Sequence, residues 1–338
     1  MRVARFLVFL LFVCVSSRLS AQDLDHTQYY LNLPGINPGF TGIEDYMDTR
    51  FSFRQGWNDF AVKNNYTFVS AYGALNNFAR NALSNNTLRL SNPEAFKQVQ
   101  NERKLLRKHG VGGMITNRAL GPYEASSINA NYAYHLPITP RVNMAFGTRV
   151  AYNSQRIDFS GFVVRDQVND AFYNQIMSAN QGNSGAFLMD FGYVLYSSKF
   201  FLGISSNGLI STHISGTSVV EQQQARRISM QGALTSLPLG SNLSFSPGFR
   251  VNYSDGYDLM WSANGRLLLK NIVYVGAGYT NSSPKLSLLF GLNVNGRFSV
   301  NYSYDKYLSN LNNFNVNVHE LVIGAALFNR YNASTRLW

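Results

Sequence analysis

Five histidines, His26, His109, His135, His213 and His319, are the side chains here with most scope for acid-base or metal chemistry. No two fall within five residues of each other, so the spacing of a paired metal site is missing. No serine sits in the glycine-flanked elbow that presents a hydrolase nucleophile. Gly110, Gly112 and Gly113 precede a strand pattern instead of a helix, which makes them room for inward-packed side chains and not a phosphate cradle. His319-Glu320, at the start of the last strand, has the make-up of an acid-base pair. In its context it reads as a polar pair at a rim, hydrogen-bonded to neighbouring strands or to the N-terminal segment. The expectation is a non-enzymatic chain with no metal and no cofactor.

A second group of residues points to binding. Gln28 to Gly42 is too rich in Pro and Gly for a helix or strand, and too aromatic for a disordered linker. Such a segment must bury its rings. Tyr29, Tyr30, Asn37, Pro38 and Phe40 are therefore the candidate plug or partner-binding residues, with His319 and Glu320 beneath the last strand.

The elements that position these residues are strands. From Lys285 to Tyr304 apolar and small or polar residues alternate: Leu286, Leu288, Phe290, Leu292 and Val294 on one side, Ser287, Gly291 and Asn293 on the other. Asn295-Gly296 then offers the favoured two-residue hairpin turn. The same rhythm recurs at 49–58, 62–74, 110–119, 126–136, 142–153, 186–196, 199–208, 226–236, 242–253, 257–268, 272–280, 285–294, 297–306 and 317–329. Fourteen such strands predict a transmembrane, antiparallel outer-membrane β-barrel, all-β, with the N-terminal segment in its lumen or at its periplasmic mouth. Arg149 falls on the lumen face, as it must, since Arg on the lipid face at mid-membrane costs roughly 2–4 kcal/mol.

Connection lengths agree with that barrel. Tight turns at 136–141, 197–198, 237–241, 270–271 and 295–296 fall on one rim, expected to be periplasmic. Long connections at 154–185, 208–225 and 307–316 fall on the other, expected to face outward. The long periplasmic connection 75–109 is the exception. Asn92 as N-cap, Pro93, Glu94, and Arg107 with Lys108 before Gly110 predict a helix inside it. Trp338 adds a terminal aromatic of the kind that ends many outer-membrane barrels.

Composition is consistent. Only 14% of residues are charged, against 27 Gly, 20 Tyr and 24 Phe, and mean hydropathy is -0.14 because alternation averages each strand to neutrality. No apolar run after the first twenty residues approaches the roughly 20 that a spanning helix needs. Arg2 and Arg5 ahead of an apolar core from Phe6 to Val15 predict a signal peptide, residues 1–21, cut after Ala21. The only cysteine, Cys14, leaves with it, and with it any disulfide or thiolate ligand. Loss of Arg2, Arg5 and Arg18 takes the 29 basic residues to 26, against 18 acidic ones, so the formal charge of +11 falls to +8. Those basic residues are scattered through strands and turns instead of forming one aromatic-interleaved patch, which favours contact with anionic outer-membrane lipid head groups or a polyanionic envelope component over nucleic acid. The expected organisation is 1–21 signal peptide, 22–48 N-terminal periplasmic or plug segment, and 49–338 barrel with the 75–109 helical insertion.

Gln28-Tyr29-Tyr30 through Asn37-Pro38-Gly39-Phe40-Thr41-Gly42 resembles the N-terminal signature of the PorP/SprF family of outer-membrane proteins, linked to the type IX secretion system and gliding machinery of Bacteroidetes. The likeness continues through Arg54-Gln55-Gly56-Trp57, Tyr132-Ala133-Tyr134-His135-Leu136-Pro137, Asp190-Phe191-Gly192, Ser197 to Gly203 and Tyr302-Ser303-Tyr304-Asp305, and closes with Val318-His319-Glu320. The resemblance implies a component at the cell outer membrane that works with the type IX translocon. One implied role is to bind the C-terminal signal domain of a secreted partner, such as a gliding adhesin with a type B signal, and anchor it at the surface. The other is to link the motor to a periplasmic peptidoglycan-binding lipoprotein. A passive outer-membrane pore is the reading from a different class.

Overall fold

In lipid every backbone polar group must find an internal partner, so strands cross a membrane only as a closed sheet. The alternating segments of this chain meet that condition. A computed structural model describes residues 26–44, 46–56, 64–75, 107–139, 141–159, 161–162, 168–178, 183–215, 226–235, 237–270, 272–294, 297–308 and 317–329. Its strands are β1 (Met47–Gly56), β2 (Asn64–Ala74), β3 (Lys108–Leu120), β4 (Tyr123–Thr139), β5 (Val142–Ile157), β6 (Asn183–Tyr196) and β7 (Phe200–Ser215). They continue as β8 (Arg227–Leu234), β9 (Leu237–Pro238), β10 (Leu243–Ser254), β11 (Met260–Leu269), β12 (Val273–Thr280), β13 (Lys285–Val294), β14 (Phe298–Tyr307) and β15 (Val318–Leu327). β9 is a two-residue strand paired to β10. The other fourteen form one closed antiparallel barrel, in which β15 returns to β1 with Phe51 opposite Ile323 and Arg54 opposite Glu320.

The two faces separate as the alternation requires. On β13 Leu286, Leu288 and Phe290 point out while Lys285, Ser287 and Gly291 are buried. Leu288 is 62% exposed, an arrangement that is stable along a whole strand face only where lipid is the solvent. On β5, Phe146 and Val150 face out, and Asn143, Ala145, Gly147, Arg149 and Ala151 face in.

Three details differ from the sequence reading. The β13–β14 connection is three residues, 295–297, because Val294 pairs with Phe298. A two-residue turn would set outward Val294 opposite Arg297 and mismatch the faces of the whole hairpin; Asn295 and Gly296 themselves lie outside the described residues. β7 runs on to Ser215 instead of ending near 208. Its register against β6 shifts between Met189 and Phe191, where Gly208 adopts φ 69° and donates its N–H to Asp190. That bulge interrupts the alternation and restarts it. Third, Lys108 opens β3 with its side chain buried, so it belongs to the barrel wall and not to a helix end. Arg107, expected in the last turn of that helix, is likewise not helical; residues 93–106, residues 1–25 and Trp338 lie outside the described residues.

β4 to β7 are 14 to 17 residues long, more than the 9–11 a tilted strand needs to cross a bilayer. β10 to β15 have 8 to 12. The rim bearing the 157–183, 215–227 and 307–318 connections, hereafter the loop rim, is therefore taller on one side. The opposite, turn rim holds the short 139–142, 196–200, 269–273 and 294–298 connections.

Candidate functional site

A barrel of this size has an interior to fill, and the N-terminal segment fills it. Three 3-10 turns, Tyr29–Leu31, Leu33–Gly35 and Pro38–Phe40, fold it into a compact strand-free path. Pro34 and Pro38 seed the second and third turns, and Asn37 caps the last by accepting the Gly39 N–H at 2.9 Å. The segment joins β1 at the turn rim and climbs inside the lumen to His26 near the loop rim. Tyr29, Tyr30, Leu31, Leu33, Phe40 and Ile43 are all buried there.

Buried carbonyls without a ladder need other partners, and inward side chains of the wall supply them. Near the turn rim, Lys108 Nζ donates to Ile43 O at 2.6 Å and His135 Nε2 to Thr41 O at 2.8 Å. His135 Nδ1 pairs with the Tyr196 hydroxyl at 2.9 Å, which orients the ring. Midway, Asn131 Nδ2 reaches Pro34 O at 2.9 Å, Arg149 Nη1 reaches Gly35 O at 2.6 Å and Ser205 Oγ reaches Ile36 O at 3.3 Å. Arg149 is held in turn by Asp190.

Asn37 works in the reverse sense. Its Nδ2 donates to the wall carbonyls of Tyr193 and Ile204, both at 3.2 Å. This approach requires glycine in the wall: a Cβ on Gly192 would stand 1.9 Å from Asn37 Oδ1, and one on Gly147 2.3 Å from the Pro38 carbonyl carbon. Gly110 likewise makes room for backbone, since a Cβ there would meet Thr41 O at 1.9 Å.

The aromatics are spaced along the same path. Phe40 meets Phe201 edge-on at 5.0 Å between centroids. Arg266 lies over the Tyr30 ring at 4.0 Å, a buried cation–π contact, and the Tyr30 and Tyr274 hydroxyls pair at 3.3 Å. Tyr29 accepts from Asn264 Nδ2 at 2.8 Å. Burial pushes its hydroxyl up to about 12 against the opposing pull of Arg266 and Arg250, so it stays neutral.

Toward the loop rim the contact becomes ionic. Thr27 donates its backbone N–H to Glu320 Oε2 at 3.1 Å and its hydroxyl to Asp305. Lys285 Nζ donates to Thr27 Oγ1 at 2.8 Å and to Asp305 Oδ2 at 3.0 Å. Arg54 sits 3.3 Å from both Glu320 and Asp305. Two acids and two bases, all buried, thus clasp the start of the segment.

Of the residues singled out in the sequence, Tyr29, Tyr30, Asn37, Pro38, Phe40 and Glu320 meet inside the lumen. His319 does not join them. Neighbours on a strand point to opposite faces, so His319 faces outward, where its Nδ1 pairs with the Tyr302 hydroxyl at 2.7 Å and its ring packs by Tyr304. It belongs to an outward aromatic cluster at the loop rim, and His109 beside Tyr132 and Tyr134 belongs to another at the turn rim. Sequence reasoning missed Arg54, Lys285, Asp305, His135, Lys108 and Arg266. The available signal was their charge or polarity at inward positions of otherwise small-residue faces.

None of the curated proteins matches this chain. Among solved structures it is similar to the Acinetobacter baumannii outer membrane protein Omp33, at 10% identity over 85% of this chain and 100% of that one, with a TM-score of 0.45. The Ralstonia pickettii toluene transporter TbuX matches at 7% identity over 86% and 92%, TM-score 0.46. The Pseudomonas putida toluene transporter TodX matches at 8% over 90% and 94%, TM-score 0.44. Residues 19–325 match the family model for the type IX secretion system membrane protein PorP/SprF. With nearly the whole barrel and its inner segment inside that match, this outer-membrane β-barrel belongs to the PorP/SprF family of type IX secretion components.

Proposed function

We propose that the barrel is a non-enzymatic receptor of the type IX system, which binds the C-terminal signal domain of one secreted partner, such as a gliding adhesin, and supports its secretion and surface anchoring. The observation that carries this reading is the filled lumen. A segment bonded to the wall from Thr27 to Ile43 stands in the path a solute or a polypeptide would take, so the work falls to protein-binding surfaces instead of a conduit. The tall wall of β4 to β7 at the loop rim supplies such a surface.

The test is affinity purification of a tagged form from its native outer membrane in mild detergent, with mass spectrometry of what comes with it. One large secreted protein is the expected companion. Recovery of a peptidoglycan-binding lipoprotein with motor subunits, and no cargo, would overturn the receptor role and make the barrel a link to the motor. Planar-bilayer recordings address the passive pore: the intact protein is expected to stay closed, and to conduct only when residues 22–42 are removed.

A further inference from the structure

His26 stands where the inner segment meets the clasp. Its ring is set edge-on to two wall aromatics, with centroids 4.3 Å from Tyr66 and 4.8 Å from Phe68. In that setting Nδ1 faces Glu320 Oε1 at 3.6 Å. The two oxygens of Glu320 are divided. Oε2 accepts the Thr27 N–H at 3.1 Å and Arg54 Nη1 at 3.3 Å, while Oε1 is buried with no hydrogen-bond partner among the described residues. A buried carboxylate oxygen left without a donor is costly, and the group turned toward this one is an imidazole.

The charges around the ring fix the sign of its effect. Glu320 on β15 and Asp305 on β14 are the acids of the clasp, and Arg54 on β1 and Lys285 on β13 are bound to them. Tyr66 on β2 adds a phenol, Arg250 on β10 lines both cavities that His26 borders, and Arg149, Asp190 and Arg227 lie across the larger of these. Arg54 holds Oε2, so the atom of Glu320 that meets His26 is the oxygen Arg54 does not use. Histidine is the side chain whose charge changes between about pH 5 and 8. A neutral ring offers Oε1 a contact too long for a hydrogen bond, whereas an imidazolium brings a charge-assisted donor that repays a short closure of the gap.

We propose that His26 is a pH-sensitive latch on the inner segment: the charged ring draws in Glu320 Oε1 and holds the loop-rim end of the segment in its clasp, and the neutral ring lets that end lift. The hold is present at the acid end of the histidine range and is lost as pH rises through it. The latch acts on the segment itself and goes beyond the receptor reading, which it neither needs nor supports.

The test places a reporter thiol at Leu31, a buried position in the segment. In purified full-length Leu31→Cys protein in detergent, a maleimide reaches the thiol only when the segment lifts. Rates are compared with and without His26→Gln at the same pH, which cancels the ionisation of the thiol. His26→Gln is expected to speed labelling about tenfold at about pH 5.5, the effect of losing one hydrogen bond to a charged group, and to leave it unchanged at about pH 8.5. With Glu320→Gln in both proteins the difference at the lower pH should vanish. Heat-modifiable gel migration like that of the unaltered protein shows that each variant is folded. A labelling difference equal at both pH values would make His26 a packing residue and overturn the latch. Slower labelling of His26→Gln at the lower pH would overturn it too, since repulsion from Arg54 and Lys285 would then outweigh the pull of Glu320. Survival of the pH dependence without the Glu320 carboxylate, or no labelling of any protein at the higher pH, would also overturn it.

Discussion

Arg54 shows how much depends on single inward side chains. It faces two buried carboxylates, Glu320 and Asp305, with Lys285 as the other base. Removing one partner from such a group leaves charge uncompensated, a cost of about 3–5 kcal/mol, whereas replacing partners together costs far less. Arg54→Ala should accordingly lower the unfolding free energy, from urea titration in detergent micelles, by that amount, and Arg54→Leu with Glu320→Leu by less; equal losses would deny the pair its role. Gly192 makes the complementary point about space. Gly192→Ala drives a methyl into Asn37 Oδ1 and is expected to unseat the segment, seen as channel openings in planar bilayers. Adding Asn37→Ala relieves the collision, so the double variant should open less often than the single one.

At the scale of elements, most strands were legible because period-2 alternation is a local signal. What was not legible was pairing across the barrel. Arg54 and Glu320 are 266 residues apart and meet only because β15 closes on β1 in one register. Hairpin register was missed for the same reason: an Asn-Gly pair argues for a two-residue turn, but matching of faces between β13 and β14 overrides it. The path of residues 26–44 was legible as buried, from its rings, yet its partners lie on thirteen different strands, which no local pattern ranks. The closure carries its own prediction. Phe51→Cys with Ile323→Cys places two thiols directly opposite, within the 4.5–5.5 Å Cβ range of cross-strand pairs. Oxidation should give a faster-migrating band on a denaturing gel that reverts with reductant, and failure to crosslink would argue against this closing pair.

For the whole molecule, the outer band of Leu, Phe, Ile and Val and the polar interior define two solvents on either side of one sheet. Leu288, near the middle of β13, faces lipid. Leu288→Arg should cost about 2–4 kcal/mol in refolding into vesicles. Leu288→Phe should be close to neutral. A charged substitution tolerated at Leu288 would mean that this face meets protein and not lipid.

The direction of the inner segment also bears on how the molecule is made. Residues 26–44 precede every strand in the chain, yet they end up enclosed by a wall whose last stave is β15. Threading them in afterwards would drag the Thr27 end past the narrow Gly147, Gly192 and Gly110 contacts and through the full height of a finished cylinder. The economical order is the reverse: the nascent sheet wraps around a core already present, collecting Lys108, His135, Arg149 and Arg266 contacts as each hairpin arrives, with the Glu320 and Asp305 clasp last. The segment is then a mandrel for assembly as much as a stopper, and its loss should slow barrel formation as well as open the lumen.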